Sequence, residues 1–291
     1  MTNKETDKKM TIKRILIYLI LAFVPVYIIC ILGTDKDCNF KTMFGSLSIM
    51  WYPAIANILT RVITREGFEE SYLRINMKGN RRYYLLSFAM PLLLSMGAGI
   101  AEAVRAGGGY DFSRSLEFAG GGKMLAASLL MCAVVSITQF DRGFGEEFGW
   151  RAYLTPKMEK LMPTPAAITV SGIIWGLWHA PLIAKGYNFG TKVHPAVGIT
   201  AMCISCVVLS FILTWLTNKT GSVYPAAIFH IVYDAFMSVV TFVIATGSKN
   251  FDYERSAFSS AMVAMVFLPL AAAIIIAVIL MRQQKMRQQK A

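Results

Sequence analysis

Apolar runs of about twenty residues recur from one end of this chain to the other, and they leave few folds open. A bilayer core about 30 Å thick takes roughly 20 residues of helix to cross. Backbone groups in hydrocarbon must also find their partners inside the segment. Eight windows meet that description, at about 15–33, 43–63, 83–104, 123–141, 166–185, 197–217, 222–246 and 257–281. The chain is 55% hydrophobic and 16% charged, against about 25% charged in soluble domains. The sequence therefore predicts an all-α integral membrane protein of about eight transmembrane helices, a single membrane domain over 1–291. The fourth helix is expected to run on to about Leu154, where Pro156 interrupts it.

The basic residues give this layout a direction. With the N-terminus inside, segments 1–14, 61–82, 142–165, 218–221 and 282–291 hold about 20 of the 29 Lys and Arg. The positive-inside rule then predicts a multi-pass protein of the cell membrane with both termini cytoplasmic. This sidedness accounts for the formal net charge of +12 without a nucleic-acid partner. Lys4, Lys8, Lys9, Lys13 and Arg14 precede the first apolar run, which lacks a small-x-small cleavage pattern and reads as an uncleaved span. The Gly-rich stretch 105–123 reads as a flexible external linker. The five cysteines suggest no disulfide framework. Cys30, Cys38 and Cys132 are isolated, and Cys203-x-x-Cys206 lies in an apolar helix with no second pair to complete a metal site.

Against this background, three short stretches hold ionisable groups inside or beside apolar segments: Glu146-Glu147-Phe148-Gly149-Trp150-Arg151, Trp175-Gly176-Leu177-Trp178-His179, and His230-Ile231-Val232-Tyr233-Asp234. A charge in hydrocarbon costs several kcal/mol, so such groups pair, line a wet cavity or do chemistry. Glu147 and Arg151 are i,i+4 and can pair along one helix face, while Glu146 points about 100° away and is free to face a cavity. There a carboxylate can take and return a proton. The same pattern equally suits an interfacial salt-bridge cluster. His179, one turn after Trp175, suits either a reactive imidazole or a core histidine. His230 and Asp234 are also i,i+4 and suit oxyanion or metal binding, or a buried structural hydrogen bond. His194, before Pro195, reads as a surface residue. Taken together, these groups predict a polar chamber facing the cytoplasm. Along straight helices at 1.5 Å per residue their depths differ. They meet only if the fourth helix is set deeper, or if tilted helices surround a water-filled vestibule.

These residues resemble the motifs of the CPBP family, which joins CAAX proteases and bacteriocin-processing enzymes. The match is Glu146-Glu147-x-x-x-Arg151, then Trp175-x-x-x-His179, then His230-x-x-x-Asp234, over a core of about 124–246. The family's second motif usually begins with Phe, where this chain has Trp175, and its third ends in Asn or Asp. The resemblance implies an intramembrane endopeptidase acting on a membrane-associated peptide or protein; a prenylated C-terminal tail fits the need for an extended substrate near the bilayer. It implies that Glu146 and His179 activate the attacking water, that His230 and Asp234 bind the oxyanion or position the water, and that Glu147 and Arg151 brace the site. It leaves the cofactor as none or zinc. A metal, if present, would sit on Glu146, His179 and His230, although no H-E-x-x-H helix is present. It also allows a non-catalytic bacteriocin-immunity or scaffold protein. The sequence leaves the oligomeric state open.

Overall fold

A computed structural model describes residues 3–32, 48–189, 193–252, 266 and 268–290. Among them the regular structure is helical, with one isolated antiparallel bridge between Tyr110 and Ser248. The helices are α1 Asn3–Leu32, α2 Tyr52–Ile63, α3 Arg81–Ala106, α4 Phe112–Phe118, α5 Gly122–Thr138, α6 Phe140–Gly149, α7 Thr155–Glu159, α8 Thr164–Trp178, α9 Ala180–Ile183, α10 Pro195–Thr220, α11 Tyr224–Ala245 and α12 Leu268–Lys290. A 3-10 turn, Ile49–Trp51, precedes α2, and a π-helical turn, Trp150–Leu154, joins α6 to α7.

Four of the described helices are long and apolar enough to cross a bilayer: α1, α3, α10 and α11. α4 and α5, bent by 65° at their junction, would together make a fifth. The expected second and fifth spans are shorter apolar helices here, 49–63 and 164–178. Part of the expected second span, 43–47, most of the start of the eighth, 257–265, and Cys38 lie outside the described residues. The surface is that of a multi-pass membrane protein. Leu16, Ile20, Val24 and Ile28 stand exposed at every fourth position of α1, while Tyr18, Ala22 and Val26 are fully buried. The exposed apolar residues of α3 and α5 extend this surface, which water would oppose and lipid tails accept.

Two expected continuous helices are broken, and both breaks bear on the site. The fourth ends at Thr138 and restarts at Phe140, so α6 is a separate short helix packed against α2 and α11. The fifth stops at His179 because Pro181 has no N–H to continue the ladder. The Leu177 carbonyl, which a continuous helix would give to residue 181, accepts the Tyr27 hydroxyl of α1 at 2.7 Å. Trp178 Nε1 donates to Ala22 O at 3.1 Å, so α1 clamps the end of α8. The linker expected at 105–123 also contains structure. Asp111 accepts the Ser113 N–H at 2.9 Å and caps α4.

Glycines set how closely the site helices approach. A Cβ on Gly145 or Gly149 would run into the backbone around Met50 or Pro53, and one on Gly172 or Gly176 into the backbone of Val207 or Cys203. Both pairs are spaced i,i+4, the small-xxx-small pattern that brings helix backbones together. They seat α6 on α2 and α8 on α10.

Candidate active site

α6 carries the two glutamates into the protein: Glu146 is 2% exposed and Glu147 is fully buried. Glu147 is the braced one. Arg151 lies 3.1 Å from its Oε2 through Nε and donates from Nη1 to Oε1 at 3.3 Å. The His230 Nδ1 lies 2.6 Å from the same Oε1. Arg151 also donates to Ser210 Oγ at 3.0 Å and lies over the Trp175 ring at 4.1 Å. The i,i+4 pairing of Glu147 and Arg151 is thus present, but Glu147 also reaches across to α11. The π-helical turn that follows is a local feature often found at functional sites.

Glu146 makes a different set of contacts. Its Oε2 accepts the Trp175 indole N–H at 2.7 Å, and the residue lines a cavity of about 200 Å³. His179 and His230 line the same cavity, as do Asp234 and Tyr187. His179 Nδ1 lies 2.9 Å from the Trp175 carbonyl. A carbonyl can only accept, so the ring proton sits on Nδ1 and Nε2 keeps its lone pair. His230 Nε2 is 3.5 Å from Asp234 Oδ2. The closest carboxylate partner of His230 is therefore Glu147, 83 residues away in sequence, rather than its i,i+4 neighbour. Asp234 is about half exposed.

The four candidate catalytic positions, Glu146, His179, His230 and Asp234, come together around this cavity, with Glu147 and Arg151 packed beside it. His194 lies elsewhere, exposed at the start of α10, where its Nδ1 accepts the Ala196 N–H at 3.3 Å. Sequence reasoning placed Trp175 beside an imidazole but missed its hydrogen bond to Glu146, and it missed Ser210 and Tyr187. Trp175 reaches Glu146 and both imidazoles: its indole N–H meets Glu146, its carbonyl meets His179, and its ring lies 5.6 Å from that of His230. Among the described residues, no three of His, Cys, Asp and Glu stand close enough together to hold a metal ion. Glu146, His179 and His230 as placed do not form such a group. Among the described residues, Cys132, Cys203 and Cys206 form no disulfide.

Residues 123–236 match the family model for type II CAAX prenyl endopeptidase Rce1-like proteins. That stretch runs from α5 into α11 and includes all six candidate residues. A curated relative, CAAX prenyl protease 2 of Methanococcus maripaludis, is 24% identical over 236 residues, covering 74% of this chain and 80% of the relative.

Proposed function

We propose that this chain, whose residues 123–236 match the Rce1-like family model, is a CPBP-type intramembrane endopeptidase whose nucleophile is a water held by Glu146 and His179. The observation that carries this reading is that Glu146, His179 and His230, from three separate helices, line one small cavity. Glu146 accepts the proton of the water as its oxygen attacks the peptide carbonyl carbon. His179, with Nδ1 tied to a carbonyl, offers Nε2 as the second acceptor that orients the water. His230 lines the same cavity with Nδ1 at Glu147 and Nε2 3.5 Å from Asp234; as the imidazolium, with a proton on each ring nitrogen, it donates from Nε2 to the developing oxyanion. The new carbon–oxygen bond forms, the carbon–nitrogen bond breaks, and Glu146 returns its proton to the leaving amine. Glu147 and Arg151 hold α6, α10 and α11 in register through His230 and Ser210.

The substrate on this reading is an extended tail of a membrane-anchored peptide or protein, a prenylated C-terminus among them. The cavity opens toward the cytoplasm, with both termini on that side and about eight membrane-embedded helices. The test is cleavage of a prenylated peptide by purified protein in liposomes, with an unmodified peptide and a strong zinc chelator as parallel arms. The expected result is cleavage that the chelator leaves unchanged and that is lost in Glu146→Gln and in His179→Ala. Wild-type rates in either variant would overturn the assigned roles.

A further inference from the structure

The hydrogen bond between Trp175 and Glu146 ties two helices together at the reacting carboxylate. Both residues are nearly inaccessible, at 3% and 2% exposure. The indole N–H can only donate, and Glu146 Oε2 receives it at 2.7 Å. A carboxylate has two oxygens and rotates about its terminal torsion. Fixing one oxygen on α8 decides where the other points, and Glu146 lines the cavity. The indole is itself held in place: Arg151 lies 4.1 Å over its face, and the His179 and His230 rings pack at 6.0 and 5.6 Å. Its backbone carbonyl fixes the proton of His179 on Nδ1. One residue therefore sets the orientation of both water-holding groups.

We infer that Trp175 is a positioning residue, whose indole N–H clamps one oxygen of Glu146 and so turns the other toward the attacking water. This rests on the endopeptidase reading above. Removing the N–H while keeping the ring frees the carboxylate to rotate. The loss falls on the chemical step and not on substrate binding.

The test compares Trp175→Phe with wild type and Glu146→Gln in the liposome cleavage assay. A benzothienylalanine placed at position 175, with sulfur where the indole has N–H, keeps the size and stacking if Phe packs poorly. Both replacements should lower kcat roughly tenfold, as expected for loss of a hydrogen bond to a charged group. KM should stay within about twofold, the pattern of an interaction that matters only in the transition state. In ¹⁵N-tryptophan protein, the indole resonance lost in Trp175→Phe should move upfield in Glu146→Gln, a signature that packing alone does not give. Wild-type kcat in both Trp175 replacements, with Glu146→Gln inactive, would overturn this inference and leave the endopeptidase reading intact. Full activity in Glu146→Gln would overturn both. An indole resonance that ignores Glu146→Gln would show that the bond does not exist in the membrane.

Discussion

Among the described residues, two buried charge clusters, one around Glu66 and one at the candidate site, differ in what they leave open. Around Glu66, beyond the end of α2, Arg14 approaches at 3.3 Å and Arg61 at 3.9 Å, Lys157 pairs directly, and the Tyr153 hydroxyl donates to Oε2 at 3.1 Å. Arg61 spends its remaining donors on Asn57 Oδ1 and on the Gly67 and Glu70 carbonyls. Both oxygens of Glu66 are occupied. At the site, Glu147 is likewise enclosed by Arg151 and His230, but next to it Glu146 takes one indole N–H and faces a cavity. Buried charge alone therefore does not mark a reaction site. An interior carboxylate with acceptor capacity turned toward a space, beside an imidazole whose tautomer is fixed, does.

The contrast can be broken or sharpened by substitution. The largest effect is expected on rate: His179→Ala should lose about 10²- to 10⁴-fold in kcat/KM, the range for a positioned acid–base group, with an unchanged melting temperature. A full-rate variant would place His179 with the structural residues. Next, Glu66→Ala leaves Arg61 and Lys157 buried without their carboxylate. It should destabilise the protein by about 3–5 kcal/mol, read by denaturation in detergent, while the rate at permissive temperature stays near wild type. Loss of rate without loss of stability would mean that the two clusters are not functionally distinct. Gly149→Ala should fall between, at about 1–3 kcal/mol, the usual cost of overpacking a tight contact. Its added methyl meets Pro53 and pushes α6 off α2, so a rate loss larger than the stability loss would show how sensitive Glu146 is to the seating of its helix.

The smallest effect is expected at the rim of the Glu66 cluster. Lys160 donates to Glu70 at 2.8 Å, and this ammonium holds the Glu70 carboxyl below the ordinary carboxylate range. The pair's contribution is therefore present at neutral pH and is lost as pH falls through that lowered value. Glu70 is 64% exposed, so Glu70→Gln should cost less than about 1 kcal/mol at neutral pH. The difference should fade in acid. A cost that grows toward low pH would reverse the assigned sign.

Local spacing made several features legible in the sequence. The apolar runs gave α1, α3, α10 and α11, and the i,i+4 rule put Arg151 beside Glu147 and Asp234 near His230. What spacing could not give is contact between distant segments. The His230–Glu147 hydrogen bond spans 83 residues and the Trp175–Glu146 bond spans 29. The depth mismatch expected along straight helices came from treating 123–154 as one rod. The break at Gln139 makes α6 a separate helix that glycines let sink between its neighbours. The Pro181 signal for the other break was in the sequence. Its consequence, a carbonyl handed to Tyr27, depended on where α1 packs. The Glu66 cluster gathers charges from α1, α2, the segment after it and α7, and no motif announces it.

The most direct measurement is the rate at which Glu146→Gln, purified and reconstituted in liposomes, cleaves a membrane-anchored peptide that the wild-type protein cleaves. The glutamine keeps an oxygen for the Trp175 indole, so the fold should melt as before, and the predicted rate is at background. Cleavage at the wild-type rate by this variant would contradict the account, because the carboxylate facing the cavity would then not be the group that activates the water.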